Sequence, residues 1–122
     1  MKVRIGFVSN SSSSSFIAVI SSAGYDALIG SLSVVERLIV DKHCKKLTLD
    51  GTDLYYYHKD SGECVEYDEA FIGEHKKKLL EAYKCEDERY ALCEEFQDTI
   101  DTLQHKIRKL GKGKVHAYWE DR

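Results

Sequence analysis

The chain has 122 residues, 43% of them hydrophobic and 32% charged, and a formal net charge of −3 at pH 7. That length supports one domain that folds without a metal or disulfide staple. The composition excludes a disordered chain, and the mild acidity excludes a histone-like or membrane-surface role, though not a local basic patch.

No proline occurs, so turns have to be marked by glycine, serine and asparagine. Val3 to Val8 alternates weakly and reads as a short strand. Asn10 to Ser15 is a polar run expected to connect it to Phe16-Ile17-Ala18-Val19-Ile20, a β-branched apolar segment that reads as a buried strand. Ser21 to Gly24 is expected to turn. From Asp26 to Cys44, Leu28, Leu32, Val35, Leu38 and Ile39 fit one helical face. Gly30 weakens that helix near its start, so Ser31 or Ser33 could be the N-cap. Asp50-Gly51 marks a turn. Leu54–His58 and Glu63–Tyr67 then read as strands of a hairpin closed by Lys59-Asp60-Ser61-Gly62. Alternation puts Tyr55 and Tyr57 on one face and Tyr56 on the other.

From Asp68 to Leu110 the pattern is helical. Ile72, Leu79, Cys93, Ile100 and Ile107 fall on one heptad position, and Ala82, Phe96, Leu103 and Leu110 on the other. The seam fails at His75, Glu86 and Arg89. Either the segment is a rod of about 60 Å, which would need a partner to cover its seam, or it folds back as an antiparallel pair. The pair is the favoured reading, with Asp87 as N-cap and Tyr83 and Tyr90 across the bend. Gly111 stops the helix, and Val115 to Trp119 alternates as a last strand. The order β-β-α-β-β-α-α-β predicts a single α+β domain over residues 1–122. It would be a small, mostly antiparallel sheet with helices on one face, including a long C-terminal helical hairpin.

The four cysteines (Cys44, Cys64, Cys85, Cys93) show no CxxC spacing, and only His43-Cys44 are neighbours, so reduced thiols are expected and no metal or cofactor. Ser9 to Ser15 breaks the apolar run that a signal peptide needs, and no stretch is long enough to cross a membrane. A cytoplasmic location follows as the expectation.

Gly6-Phe7-Val8-Ser9-Asn10-Ser11-Ser12-Ser13-Ser14-Ser15-Phe16, with Arg4 just before it, resembles the opening of scattered short, uncharacterised bacterial and bacteriophage proteins. The resemblance is confined to these residues. It implies a phage or bacterial setting, hence host cytoplasm or virion, and no particular activity. Physically, Asn10, Ser11, Ser12, Ser13, Ser14 and Ser15 offer hydroxyls and backbone N–H groups that could wrap an anion. The run lacks the glycines and the following helix of phosphate loops, so a connection or docking segment is the favoured reading.

Lys106, Arg108, Lys109, Lys112 and Lys114, with Tyr118 and Trp119 beyond, could hold single-stranded nucleic acid by phosphate contact and stacking. The plainer reading is positive charge complementing a helix C-terminus. Glu94, Asp98, Asp101 and His105 form a helical stripe that could ligate a metal but is offset from the apolar seam, which favours a solvated face. Tyr55-Tyr56-Tyr57 could be an aromatic recognition surface or the cover of a small core. None of the local motifs of nucleotide binding, serine hydrolysis or zinc proteolysis occurs, so no catalytic residue is assigned. The expectation is a non-enzymatic interaction or assembly protein, a virion component or modulator of a host factor, with a protein partner or self-association. The alternative is a module binding a phosphate-bearing ligand or single-stranded nucleic acid through the serine run, Lys112 and Lys114. A membrane partner is not expected.

Overall fold

Phe16 to Ile20 lies at the centre of the sheet, as its apolar, β-branched character demands. A computed structural model describes residues 14–60 and 66–121, apart from the side chains of residues 66, 67 and 121. The expected strand over Val3–Val8, and Asn10 to Ser13, lie outside the described residues. The first strand, β1 (Ser14–Ser21), takes in the last two serines of the run. Those two are therefore sheet and not connection. Ser15 is paired on both sides, with Asp60 and with Glu120, and its hydroxyl donates to Asp60 Oδ1 at 2.5 Å.

Ser21 does not open a turn. Its hydroxyl accepts from the Gly24 amide and caps α1 (Ser22–Ile29). The long helix expected over 26–44 is thus two helices. The break covers Gly30 to Ser33, and Ser33 caps α2 (Val34–His43). The cap is reciprocal: Ser33 Oγ accepts from the Glu36 amide while Glu36 Oε1 accepts from the Ser33 amide at 2.8 Å.

β2 (Cys44–Leu49) and β3 (Thr52–Asp60) form a hairpin around Asp50 (φ 51°) and Gly51 (φ 77°). Positive φ at both turn residues is the two-residue geometry that Asp-Gly favours. The hairpin expected around Lys59–Gly62 is not formed as read, because Lys59 and Asp60 belong to β3 and residues 66–67 already open α3 (Glu66–Glu74). Residues 61–65 lie outside the described residues.

Instead of one rod or a simple pair, residues 66–108 make three helices: α3, α4 (Lys76–Tyr83) and α5 (Arg89–Arg108). Lys84, in the left-handed conformation at φ 55°, ends α4. Glu88, not Asp87, caps α5 by accepting from the Tyr90 and Ala91 amides. Asp87 pairs instead with Lys76 at 2.6 Å. Tyr83 does bridge to α5, its hydroxyl 2.7 Å from Thr99 Oγ1, whereas Tyr90 stays exposed. After Gly111, β4 (Val115–Asp121) closes the sheet.

The sheet order is β2-β3-β1-β4, and every neighbouring pair is antiparallel. Helices follow β1 and β3, so the connectivity is that of the split β-α-β, ferredoxin-like pattern, which hosts many unrelated functions. The α+β class holds. The buried apolar residues form one cluster: Phe16, Ala18, Ile20 and Tyr57 from the sheet, meeting Leu28, Val35, Ile39, Phe71, Leu79, Phe96, Ile100, Leu103 and Ile107 among others from the helices. The sheet members all lie on the same face by alternation, with Tyr55, Cys44, Val115 and Ala117 packed at their edge. No described helix is long and apolar enough to cross a membrane.

Candidate functional site

The opposite face of the sheet is built from the alternate residues of the same strands. On it, Ile17 of β1 lies between His58 of β3 and Tyr118 of β4, and Val19 lies between Tyr56 and His116. Four rings therefore frame two aliphatic side chains. Along β3, Tyr56 and His58 stack with centroids 6.3 Å apart, and along β4, His116 and Tyr118 lie 5.6 Å apart. The face continues toward the edge with Leu54 opposite Leu47 and Thr52 opposite Leu49. None of these apolar residues belongs to the core cluster, but Ile17 at the centre of the face is itself buried, 4% exposed. Tyr118 is 44% exposed and Leu49 58%.

Charge is distributed unevenly over this face. Asp60 and Glu120 flank Ser15 at one end, with His58 Nε2 3.7 Å from Asp60 Oδ1. Lys45 sits opposite Tyr56 in the other half. Beyond it at the same end lies the turn before β4, in which Gly111 and Gly113 take positive φ around Lys112 and Lys114. The described serines of the proposed ligand site, Ser14 and Ser15, lie at the acidic end, and Lys112 and Lys114 at the other, about 20 Å away along the strands. The structure does not bring these two groups together, and Asn10, Ser11, Ser12 and Ser13 lie outside the described residues. Lys106 is drawn away from the basic stretch: its Nζ donates to Glu36 Oε1 at 2.7 Å and to the Ser31 carbonyl at 2.8 Å.

Of the acidic stripe, Asp98 joins Glu95, Glu36, Ser33, Tyr83, Thr99, Thr102 and Lys106 in lining a polar cleft of about 350 Å³ between α2, α4 and α5. Burial, with Asp98 adding to it, raises the Asp101 carboxyl against a hydrogen bond from Gln97. Burial likewise pushes the Tyr83 phenol up to about 12. Among the described residues, no group of three or more histidine, cysteine or acidic side chains converges to hold a metal ion.

The three-tyrosine run divides as alternation predicts. Tyr57 is in the core, Tyr55 stacks on Tyr25 at 3.7 Å on the helix side, and Tyr56 faces the open side. Sequence reading missed a buried ionic group beneath the helices. Lys59 Nζ meets Asp68 Oδ2 at 3.1 Å and donates to the Asp60 carbonyl at 2.7 Å, both side chains being 2% exposed. Asp68 Oδ1 has no hydrogen-bond partner among the described residues. Nearby, burial first and the Lys59 charge second push His43 down to about 4. Burial and Asp41 push the Cys44 thiol up to about 11, which keeps it protonated and a poor nucleophile. Cys85 and Cys93 are half-buried.

No family model, no curated protein and no solved structure matches the chain.

Proposed function

We propose that this chain is a non-enzymatic interaction protein that docks a protein partner on the face of its sheet opposite the core. The observation that carries the reading is the frame of Tyr56, His58, His116 and Tyr118 around Ile17 and Val19, extended by Leu47, Leu49 and Leu54. Tyrosine and aliphatic side chains on a rigid sheet offer apolar contact area at small entropic cost, which is the character of an interface centre. The helical layer then serves as the support behind the sheet. The likeness of residues 6–16 to short bacterial and phage proteins supports a role as a virion component or modulator of a host factor, in host cytoplasm or virion.

The test is affinity capture from bacterial lysate with the native chain and with Tyr118→Glu and Leu47→Glu, folding of each verified by circular dichroism. One protein retained in near-equal amount by the native chain and lost from both variants supports the reading. Equal retention by all three overturns it. A second reading has its own observation: four rings with Lys45, Lys112 and Lys114 toward one end could stack and neutralise single-stranded nucleic acid. Binding of an oligonucleotide that falls steeply with salt and is lost in Lys112→Ala and Lys114→Ala would favour it.

A further inference from the structure

We infer that the outer edge of β4 is a docking edge, and that its occupant is β4 of a second copy, added antiparallel so that the two sheets run on as one. This edge is separate from the open face described above. The sheet has two edges, and only one is guarded. β2 carries Lys45 and Lys46, charges of the kind that discourage pairing with a foreign strand. β4 has the central run Val115-His116-Ala117-Tyr118-Trp119, with no lysine, arginine, carboxylate or proline. Its register with β1 runs residue for residue from Ile20–Val115 to Ser14–Asp121, so no bulge bends it away. Among the described residues no strand lies beyond it.

Exposure converges on the same edge. Trp119 lies on the helix side, its ring centroid 5.3 Å from that of Phe16, and Tyr118 lies on the open side. Phe16 is fully buried, yet Trp119 is 45% exposed and Tyr118 44%. Two rings on opposite faces of one strand share only its outer flank, and that flank is what lies uncovered. The backbone there is available as well. The Ser21 amide donates to the Lys114 carbonyl, which fixes the phase of the β1–β4 ladder. Alternate residues of an antiparallel pair turn their N–H and C=O groups to the neighbour. His116, Tyr118 and Glu120 therefore face β1, and Val115, Ala117 and Trp119 present theirs outward.

A copy of the same chain is selected because the strand is complementary to itself. Pairing two β4 strands antiparallel about Ala117 matches outward groups with outward groups. It sets Val115 against Trp119, a β-branched against an aromatic residue, and His116 against Tyr118, each twice by symmetry. Ala117 meets its own copy at the axis. At each end the turn carrying Lys112 and Lys114 comes alongside Glu120 of the other copy. Parallel pairing would lay lysine turn beside lysine turn, and centring on Tyr118 would set Val115 against Asp121. The two-fold axis stands perpendicular to the sheet, so both helical layers lie on one side and the two open faces join on the other.

Sedimentation equilibrium of the purified full chain, up to high micromolar concentration, tests this together with a cysteine crosslink. The expected result is a monomer–dimer equilibrium. Ala117→Pro removes an N–H that points outward and leaves the ladder to β1 intact, and should weaken the dimer about tenfold or more. Glu120→Lys should also weaken it, and adding Lys114→Glu should recover part of the loss. Circular dichroism establishes that each variant is folded. Ala117→Cys sets two thiols opposite each other with Cα atoms about 5.5 Å apart, within disulfide reach. Oxidised glutathione should then link two chains through residue 117, identified by mass spectrometry of the joined peptides, whereas Leu49→Cys on the guarded edge should give no such link. Should Ala117→Pro fail to fold, the crosslink decides alone. A chain that stays monomeric at high micromolar concentration overturns the inference. So does a dimer that keeps its affinity in folded Ala117→Pro, or one that forms no link through residue 117.

Discussion

A methyl group on the Cα of Gly24 would stand 2.6 Å from the carbonyl oxygen of Lys114 and 3.1 Å from its Cβ. That carbonyl also accepts the Ser21 amide at 2.9 Å, so the first turn of α1 is seated directly on the turn that leads into β4. Gly24→Ala therefore sets two effects against each other. Alanine improves a helix interior by about 1 kcal/mol, while a backbone clash of this kind costs about 1–3 kcal/mol. The clash is with main chain that is itself hydrogen-bonded, so the expected outcome is net destabilisation. Urea unfolding of Gly24→Ala against the native chain checks it, and an unchanged or raised midpoint would contradict the close seating.

The pair Lys59–Asp68 should be costly to break and cheap to replace. Lys59→Met leaves a carboxylate buried without its cation and is expected to cost about 3–5 kcal/mol, and Asp68→Leu a similar amount. The double variant Lys59→Met/Asp68→Leu should recover most of that loss. Thermal melts of the three variants measure it as a double-mutant cycle, and additive losses would show that the two groups do not act as a pair.

His43 gives the fold a pH dependence of known sign. Its folded value of about 4 lies below the ordinary 6.5, so between those values the unfolded chain binds a proton that the folded chain refuses. Stability is then full above about pH 6.5 and falls as pH drops from there toward 4. Denaturation midpoints at pH 7 and pH 4.5 should differ more for the native chain than for His43→Gln. Equal differences would remove His43 as the cause.

Glu36 does more than cap its helix. Its Oε1 accepts from both the Ser33 amide and Lys106 Nζ, joining the start of α2 to the end of α5. Ser33→Ala removes only the cap and should cost about 1 kcal/mol. Glu36→Ala removes the reciprocal cap and the link to α5, and should cost about 2–3 kcal/mol. If the two substitutions prove equal in chemical denaturation, the Lys106 contact contributes nothing.

The sequence showed those elements whose signals are local. Phe16–Ile20, the cap at Ser33, the Asp50-Gly51 turn and the strand after Gly111 are each written in a few adjacent residues. β2 was harder to read because an edge strand carrying Lys45, Lys46 and Thr48 has no buried alternation to display. Lys59 reads as loop chemistry in the sequence because its partner, Asp68, is supplied by a helix, and no local pattern announces a buried ion pair. Gly24 looked like a turn glycine when its role is close approach to a residue ninety positions later in the chain. The open face was hidden for the same reason. Tyr56 was visible as one tyrosine of three, but its grouping with Ile17, Val19, His116 and Tyr118 depends on strand order, which no run of residues encodes.

The strand order also governs when the protein can fold. β1 has its two sheet neighbours in β3 and in β4, and β4 is the last of the described elements. Until Val115–Asp121 leaves the ribosome, one side of β1 carries unpaired backbone groups along Phe16-Ile17-Ala18-Val19-Ile20, a sequence suited to pairing with any available strand. Completion of the sheet therefore waits for a strand made about a hundred residues after β1. Chains cut short before residue 115 should accumulate as aggregates, not as smaller folded proteins.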